Sequence, residues 1–208
     1  METFNFIPLG PPMGGKNEQQ ELLCKQYPTA TVIETGEIMR AFARGDCDED
    51  HHLFLLQKKF QKANEAENIN KGNLAPDIFA QALVSTIIMN EPVRNPILRI
   101  WNGFPRTAEQ MLWLIDYLKK RNERISLVGN LVVPDEELDN RLACANRNRK
   151  DDLVFSTRLK TYYQVTAAII PLTKELGIPY EDINGVGSVF EVNERILSLF
   201  TKHGNHVI

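Results

Sequence analysis

Residues 4–16 read Phe-Asn-Phe-Ile-Pro-Leu-Gly-Pro-Pro-Met-Gly-Gly-Lys, an apolar run that ends in the pattern G-x-x-x-x-G-K and opens into a helical stretch. Strand, glycine-rich turn and helix in that order form a cradle for phosphate. Gly10, Gly14 and Gly15, with Pro11, Pro12 and Met13 between them, let the backbone turn its N–H groups inward. Lys16 adds a point charge, and the helix N-terminus adds the positive end of its dipole. The expected ligand is a nucleoside di- or triphosphate. One position departs from the general pattern: the Ser or Thr that would bind magnesium after the lysine is Asn17, and Glu18 follows.

Working outward from this loop, short β-rich runs alternate with longer helical patterns. Asn5–Leu9, Thr31–Ile33, Ile97–Trp101, Ser126–Val133 and Tyr180–Ile183 are expected as strands. Gly15–Gln26, Gly36–Arg44, His52–Glu67, Pro76–Met89, Ala108–Lys120, Asp135–Ala145, Phe155–Leu176 and Val189–Thr201 are expected as helices. Such alternation predicts an α/β domain with a parallel sheet, helices on both faces, and ligands at the C-terminal ends of the strands. Pro8 lacks the donor that a central strand needs, so a bulge or an unpaired register is expected there.

The chain has 208 residues, 43% hydrophobic and 25% charged, which suits one globular domain spanning 1–208. Its 24 basic and 27 acidic residues leave a net charge of −3, so no overall positive field exists to hold a nucleic acid. Cys24, Cys47 and Cys144 are odd in number and lack a C-x-x-C pair, which argues against a disulfide framework or a cysteine zinc site. His51 and His52 beside Asp48, Glu49 and Asp50 are adjacent in sequence, a poor arrangement for converging on a metal. No leader pattern opens the chain and no apolar run nears the ~20 residues of a membrane span, so the expected location is the cytoplasm.

Two further segments sit at strand ends. Thr35-Gly36-Glu37-Ile38-Met39-Arg40 follows the second strand, with Thr35 expected at a helix cap and Arg40 a turn and a half inside. Asn102-Gly103-Phe104-Pro105-Arg106-Thr107 follows the third, with Thr107 as the expected N-cap. Lys16, Arg40 and Arg106 thus follow three successive strands, and three cations so placed point to one anionic ligand site.

The combination G-x-P-x-x-G-K, T-G-E-x-x-R and G-F-P-R-T-x-x-Q, spread from about Phe6 to Phe200, resembles the adenylate kinase family of nucleoside monophosphate kinases. The resemblance implies a five-stranded parallel sheet in the order 2-3-1-4-5 and a monomer. It further implies a helical excursion at 36–89 over a monophosphate and a lid, here reduced to 142–152. Carried over position by position, Gly10, Pro11, Pro12, Met13, Gly14, Gly15, Lys16, Asn17, Glu18 and Arg141 would bind ATP. Thr35, Gly36, Arg40, Leu74, Ala75, Gly103, Arg106 and Gln110 would bind AMP, with Gln110 on the adenine edge. Lys16, Arg106, Arg149 and Arg158 would be catalytic, neutralising the transferred phosphoryl group together with Mg2+.

Two departures bear on that chemistry. The family's magnesium-orienting aspartate is Asn102 here, and its Gly-Thr after the lysine is Asn17-Glu18, which makes Glu18 a candidate metal partner. A family arginine one turn after Arg141 is replaced by Ala145, with Arg147 or Arg149 as compensating candidates. Three readings stay open on the residues: a kinase converting ATP and AMP to ADP, a nucleotide-binding module that senses AMP or ATP without transfer, and a kinase for another monophosphate or an ATPase.

Overall fold

The computed structural model describes residues 2–44, 65–89, 96–144 and 154–204. Five strands, β1 (Phe4–Leu9), β2 (Thr31–Glu34), β3 (Leu98–Asn102), β4 (Ile125–Val132) and β5 (Tyr180–Asn184), form one sheet in the order β2-β3-β1-β4-β5. Every pairing is parallel. This is the expected order, and it places the ends of β1, β2 and β3 side by side.

Helices cover both faces because side chains alternate along each strand. Phe4 and Phe6 of β1 point to one face, where Leu23 of α1 (Lys16–Gln26) and Val192, Ile196 and Phe200 of the C-terminal helix (Val189–His203) complete the core. Ile7 and Leu9 point to the other. There they meet Met39 and Phe42 of α2 (Thr35–Arg44), Leu83 and Val84 of Asp77–Met89, and Met111 and Leu114 of Ala108–Lys120. In chain order the remaining helices are α3 (Glu65–Asn70), α4 (Asp77–Met89), α5 (Ala108–Lys120), α6 (Asp135–Cys144), α7 (Phe155–Gln164), α8 (Ile169–Glu175) and α9 (Val189–His203). None of the described helices is long and apolar enough to cross a membrane.

Two local expectations, for Phe155–Leu176 and for Thr35, are corrected. The stretch Phe155–Leu176 is two helices, α7 and α8, joined through Val165 and a 3₁₀ turn at Thr166–Ala168. Pro171 explains the break: it cannot donate a helical hydrogen bond and is tolerated only in a first turn, which is where α8 places it. Of the two accommodations expected at Pro8, the unpaired register is found, on the β3 side, and the bulge is not: the irregularity in the β1–β4 pairing lies between Asn5 and Phe6. Pro8 pairs with Gly129 on the β4 side, and the β1–β3 pairing runs from Phe4 to Phe6, ending before a donor from Pro8 is required. Thr35 is the first residue of α2 rather than its cap, and its hydroxyl donates to the Gly103 carbonyl at 2.9 Å. The helix expected at His52–Glu67 lies mostly outside the described residues, as do Cys47, His51 and His52.

Candidate active site

The loop between β1 and α1 has the backbone of an anion cradle. Gly10, Met13 and Gly15 all take positive φ, 145°, 64° and 93°, and Gly14 N–H bonds back to the Pro11 carbonyl at 3.1 Å. Met13 is the informative one, since a side-chain-bearing residue pays a steric penalty in that region. Gly14 has no room for a side chain, because a Cβ would stand 2.9 Å from the Pro11 oxygen. Gly15 caps α1 without a side-chain acceptor, so the opening N–H groups of the helix are not consumed by a cap.

Lys16 folds back over this loop. Its Nζ donates to the carbonyls of Gly10 and Pro11 at 2.6 and 2.7 Å. The residue keeps partial access to solvent, yet its ammonium is enclosed. Burial, then the charges of Arg106 and Arg158, bring its pKa down to about 7, against a small opposing effect of Glu18. Cations brought this close repel one another, and a bound polyphosphate would relieve that repulsion.

Arg106 and Arg158 are held by different parts of the chain. Arg106 follows the turn after β3, where its Nε donates to the Gly103 carbonyl at 2.9 Å. Gly103, at φ 84°, lets that turn pass the start of α2, because a Cβ there would meet Thr35 Oγ1 at 3.1 Å and Arg106 Nη2 at 3.2 Å. Arg158 lies on α7 and packs across Gly72, where a Cβ would come within 3.1 Å of its Cγ. One turn later Tyr162 anchors the same helix: its hydroxyl donates to Asn130 Oδ1 at 3.0 Å, and Asn130 donates to Asp182 at 2.8 Å. Burial and the Asp182 charge push the Tyr162 hydroxyl up to about 12, which keeps it a neutral donor.

Two cavities meet at these arginines. The first is lined by Lys16, Asn17, Glu18, Glu34, Asn102 and the glycine loop. The second, more apolar, is lined by Thr35, Met39, Ile69, Leu74, Ala75, Ala80 and Gln110. Gly36, Arg40, Gly103, Arg106 and Arg158 border both. Arg40 is steadied by Glu37, which accepts from its Nη2 at 2.7 Å. Hydrogen bonding to Arg40 in turn holds the Glu37 carboxyl below its usual range.

Gln110, buried in α5, has its amide orientation set by the protein. Nε2 donates to Asp77 Oδ1 at 2.7 Å and Oε1 accepts from the Arg106 N–H at 2.7 Å. One amide hydrogen and one lone pair remain for a base edge. Thr107 caps α5 as expected, accepting from Gln110 N–H at 3.1 Å, and its hydroxyl donates to the same Asp77 oxygen at 3.0 Å.

Arg141 faces the outer side of the loop. It donates to the carbonyls of Met13 (3.3 Å) and Gly185 (2.8 Å) and to Glu137 (2.8 Å), and it borders a third cavity with Glu18, Glu21, Cys144 and Val189. Arg149, with most of the segment 142–152, lies outside the described residues, as does Arg147.

The donor set near Asn102 fits a hydrated magnesium ion. Asn102 Nδ2 donates to Asn17 Oδ1 at 3.0 Å and to Gln20 Oε1 at 2.6 Å, which leaves its oxygen as the acceptor. Glu18 and Glu34 border the same cavity. Hard, oxygen-only ligands with one or two carboxylates suit an ion that keeps several waters and takes the rest of its ligands from phosphate. No group of three or more His, Cys, Asp or Glu side chains converges on a metal position among the described residues.

Sequence reading named the glycine loop, the arginines and Gln110, but missed Glu34, Gln20 and the orienting role of Asp77. A carboxylate immediately before Thr35-Gly36 was visible in the sequence; its partners, 14 residues or more away, were not. Glu137, four residues before Arg141, was legible as a helical ion pair and was passed over.

Comparison with known proteins agrees with this geometry. The family model described as adenylate kinase matches residues 8–178. An adenylate kinase of Leptospira biflexa is 33% identical over 196 residues, covering 92% of this chain and 97% of the relative. One from Renibacterium salmoninarum is 30% identical over 194 residues, covering 91% and 92%. A third, from Prochlorococcus marinus, is 33% identical over 190 residues, covering 90% and 93%. With its motifs, strand order and near full-length relatives in agreement, the chain belongs to the adenylate kinase family of nucleoside monophosphate kinases.

Proposed function

We propose that this chain transfers the γ-phosphoryl group of ATP to AMP, giving two molecules of ADP, with Mg2+ on the donor. The observation that carries this is the shared wall: Arg40, Arg106 and Arg158 border both the loop cavity and the apolar cavity. A donor seated on the loop and an acceptor seated by Gln110 would bring their phosphates to the same three guanidinium groups.

The chemistry asks for position and charge rather than a covalent nucleophile. An oxygen of the AMP phosphate attacks the γ-phosphorus as the bond to the bridging oxygen of the departing ADP breaks. Lys16 exchanges its two loop carbonyls for donor phosphate oxygens. Arg106 and Arg158 meet the charge on the equatorial oxygens, and preorganised cations of this kind cost no reorganisation during transfer. Gln110, held by Asp77 and the Arg106 N–H, orients the acceptor base. Arg141, beside Met13 and Gly185, borders the cavity for the donor base. Asn102, Glu18 and Glu34, which line the loop cavity, would hold the water shell of a magnesium ion, which would supply positive charge to the donor phosphates.

In this reading the segment 36–89 serves the acceptor, and 142–152 corresponds in sequence to the family's lid. A cytoplasmic location, and a monomer as the family resemblance implies, are part of this reading. The test is coupled measurement of ADP formation from ATP with and without AMP and Mg2+. Acceptor-dependent turnover that Lys16→Ala abolishes is expected. AMP binding without turnover would make the chain a nucleotide sensor, and ATP loss faster without AMP than with it would make it a hydrolase.

A further inference from the structure

Glu34 is the last residue of β2 and the cross-strand partner of Asn102 at the end of β3. Both border the phosphate cavity with Lys16, Asn17 and Glu18. Among the described residues, the Glu34 carboxylate is touched by one hydrogen bond, from Gln20 Nε2 at 3.3 Å, and is paired with no cation. The same Gln20 amide accepts from Asn102 with its oxygen at 2.6 Å. A polar chain therefore runs Asn17–Asn102–Gln20–Glu34 across α1, β3 and β2. It turns the Asn102 nitrogen toward the protein and leaves its neutral oxygen as the remaining acceptor, in a cavity that the Glu34 carboxylate also borders.

An unpaired carboxylate is out of place in a cavity whose other charged walls are arranged for phosphate. Facing the donor alone, it would repel the donor's oxygens. A divalent cation between the two changes the sign of the interaction, since Mg2+ takes one or two carboxylates together with substrate phosphates. Glu18 is the other carboxylate of this cavity, but it lies on the first turn of α1 and also borders the outer cavity beside Arg141. Glu34 is the one joined through Gln20 to Asn102.

We propose that Glu34 is the residue that couples this chain to the hydrated divalent cation on the donor phosphates, supplying from β2 the charge that Asn102 does not supply from β3. The proposal rests on the phosphotransfer reading above. It adds that donor binding depends on the cation, and that Gln20 is the positioning residue for both acceptor groups.

The test is calorimetric titration of the full chain with the β,γ-imido analogue of ATP, once with excess MgCl2 and once with EDTA. The wild-type chain is expected to bind the magnesium-loaded analogue more tightly. Glu34→Gln should weaken that form roughly 10- to 100-fold, as loss of an outer partner of a metal does, while metal-free binding stays the same or tightens as repulsion is removed. Gln20→Leu should reduce the cation preference partway, and Glu18→Gln should reduce it less than Glu34→Gln does. Thermal melts of each variant establish that it is folded. A Glu34→Gln chain that keeps the wild-type preference, or loses both forms equally, overturns the proposal, as does a preference lost in Glu18→Gln instead. Failure of the wild-type chain to bind either form would remove the phosphotransfer reading itself, and the proposal with it.

Discussion

Gln110 Nε2 donates to Asp77 Oδ1 across 2.7 Å, joining the first turn of α4 to the first turn of α5 beneath the apolar cavity. A carboxylate can only accept, so Asp77 compels the amide nitrogen of Gln110 toward itself. The oxygen is then left to the Arg106 N–H. Under the proposed function, the selectivity of the acceptor site would then depend on a residue one step removed from the ligand.

Asp77→Asn tests that dependence. Asparagine can present either a donor or an acceptor, so the amide of Gln110 is no longer held in one orientation. A charged hydrogen bond of this kind is worth about 1.5–3 kcal/mol, which predicts kcat/KM for AMP lower by roughly 10- to 100-fold. Steady-state kinetics with AMP, GMP, CMP and UMP should also show a narrower preference for AMP. Unchanged ratios among the four would exclude an orienting role for Asp77.

Lys16 predicts a proton taken up on binding. With its pKa brought down to about 7 by burial and by Arg106 and Arg158, the free chain is partly deprotonated there above neutrality. A bound polyphosphate raises that pKa and restores the charge. Affinity should therefore be full below pH 7 and fall as pH rises above it, by up to about one decade per pH unit. Calorimetry at about pH 8 in two buffers of different ionisation enthalpy should show net uptake approaching one proton per nucleotide. Lys16→Met should bind more weakly and without it.

Gly103→Ala places a methyl group at φ 84°, within 3.1 Å of Thr35 Oγ1 and 3.2 Å of Arg106 Nη2. The backbone strain alone costs about 1–3 kcal/mol. Thermal unfolding should register that loss. The kinetic effect should be larger than the stability loss implies, because the displaced groups belong to the acceptor site.

The far end of the sheet offers a contrast. Arg99, fully buried in β3, donates to Asn5 Oδ1 at 3.1 Å and pairs with Glu123. Burial pushes the Glu123 carboxyl up, but the Arg99 charge and hydrogen bonds from Asn5, Arg99 and Arg121 outweigh it and hold the group below its usual range. Its stabilisation is therefore present above the unfolded carboxylate pKa and lost as pH falls through the folded one. Glu123→Ala leaves Arg99 buried without its counter-charge and should destabilise by about 3–5 kcal/mol. Urea unfolding at neutral and acid pH measures both effects, and kcat under native conditions should be unchanged.

The sequence by itself determined the backbone features. Three glycines and a lysine around Pro11, Pro12 and Met13 specify an anion cradle, alternating apolar runs specify a parallel sheet, and Thr107 marks a helix start; each depends on φ, ψ and periodicity within a few residues. Pro171 equally marked the break between α7 and α8, although the apolar pattern around it masked the interruption.

Tertiary structure decided which groups meet. The order β2-β3-β1 brings Glu34 beside Asn102, Thr35 onto the Gly103 carbonyl and Arg106 against Lys16, and the packing of α7 adds Arg158. These partners lie tens of residues apart, and their charges act through burial and distance, which local pattern does not encode. The glycine loop pointed to phosphate; the packing of strand ends decided which side chains gather around that loop.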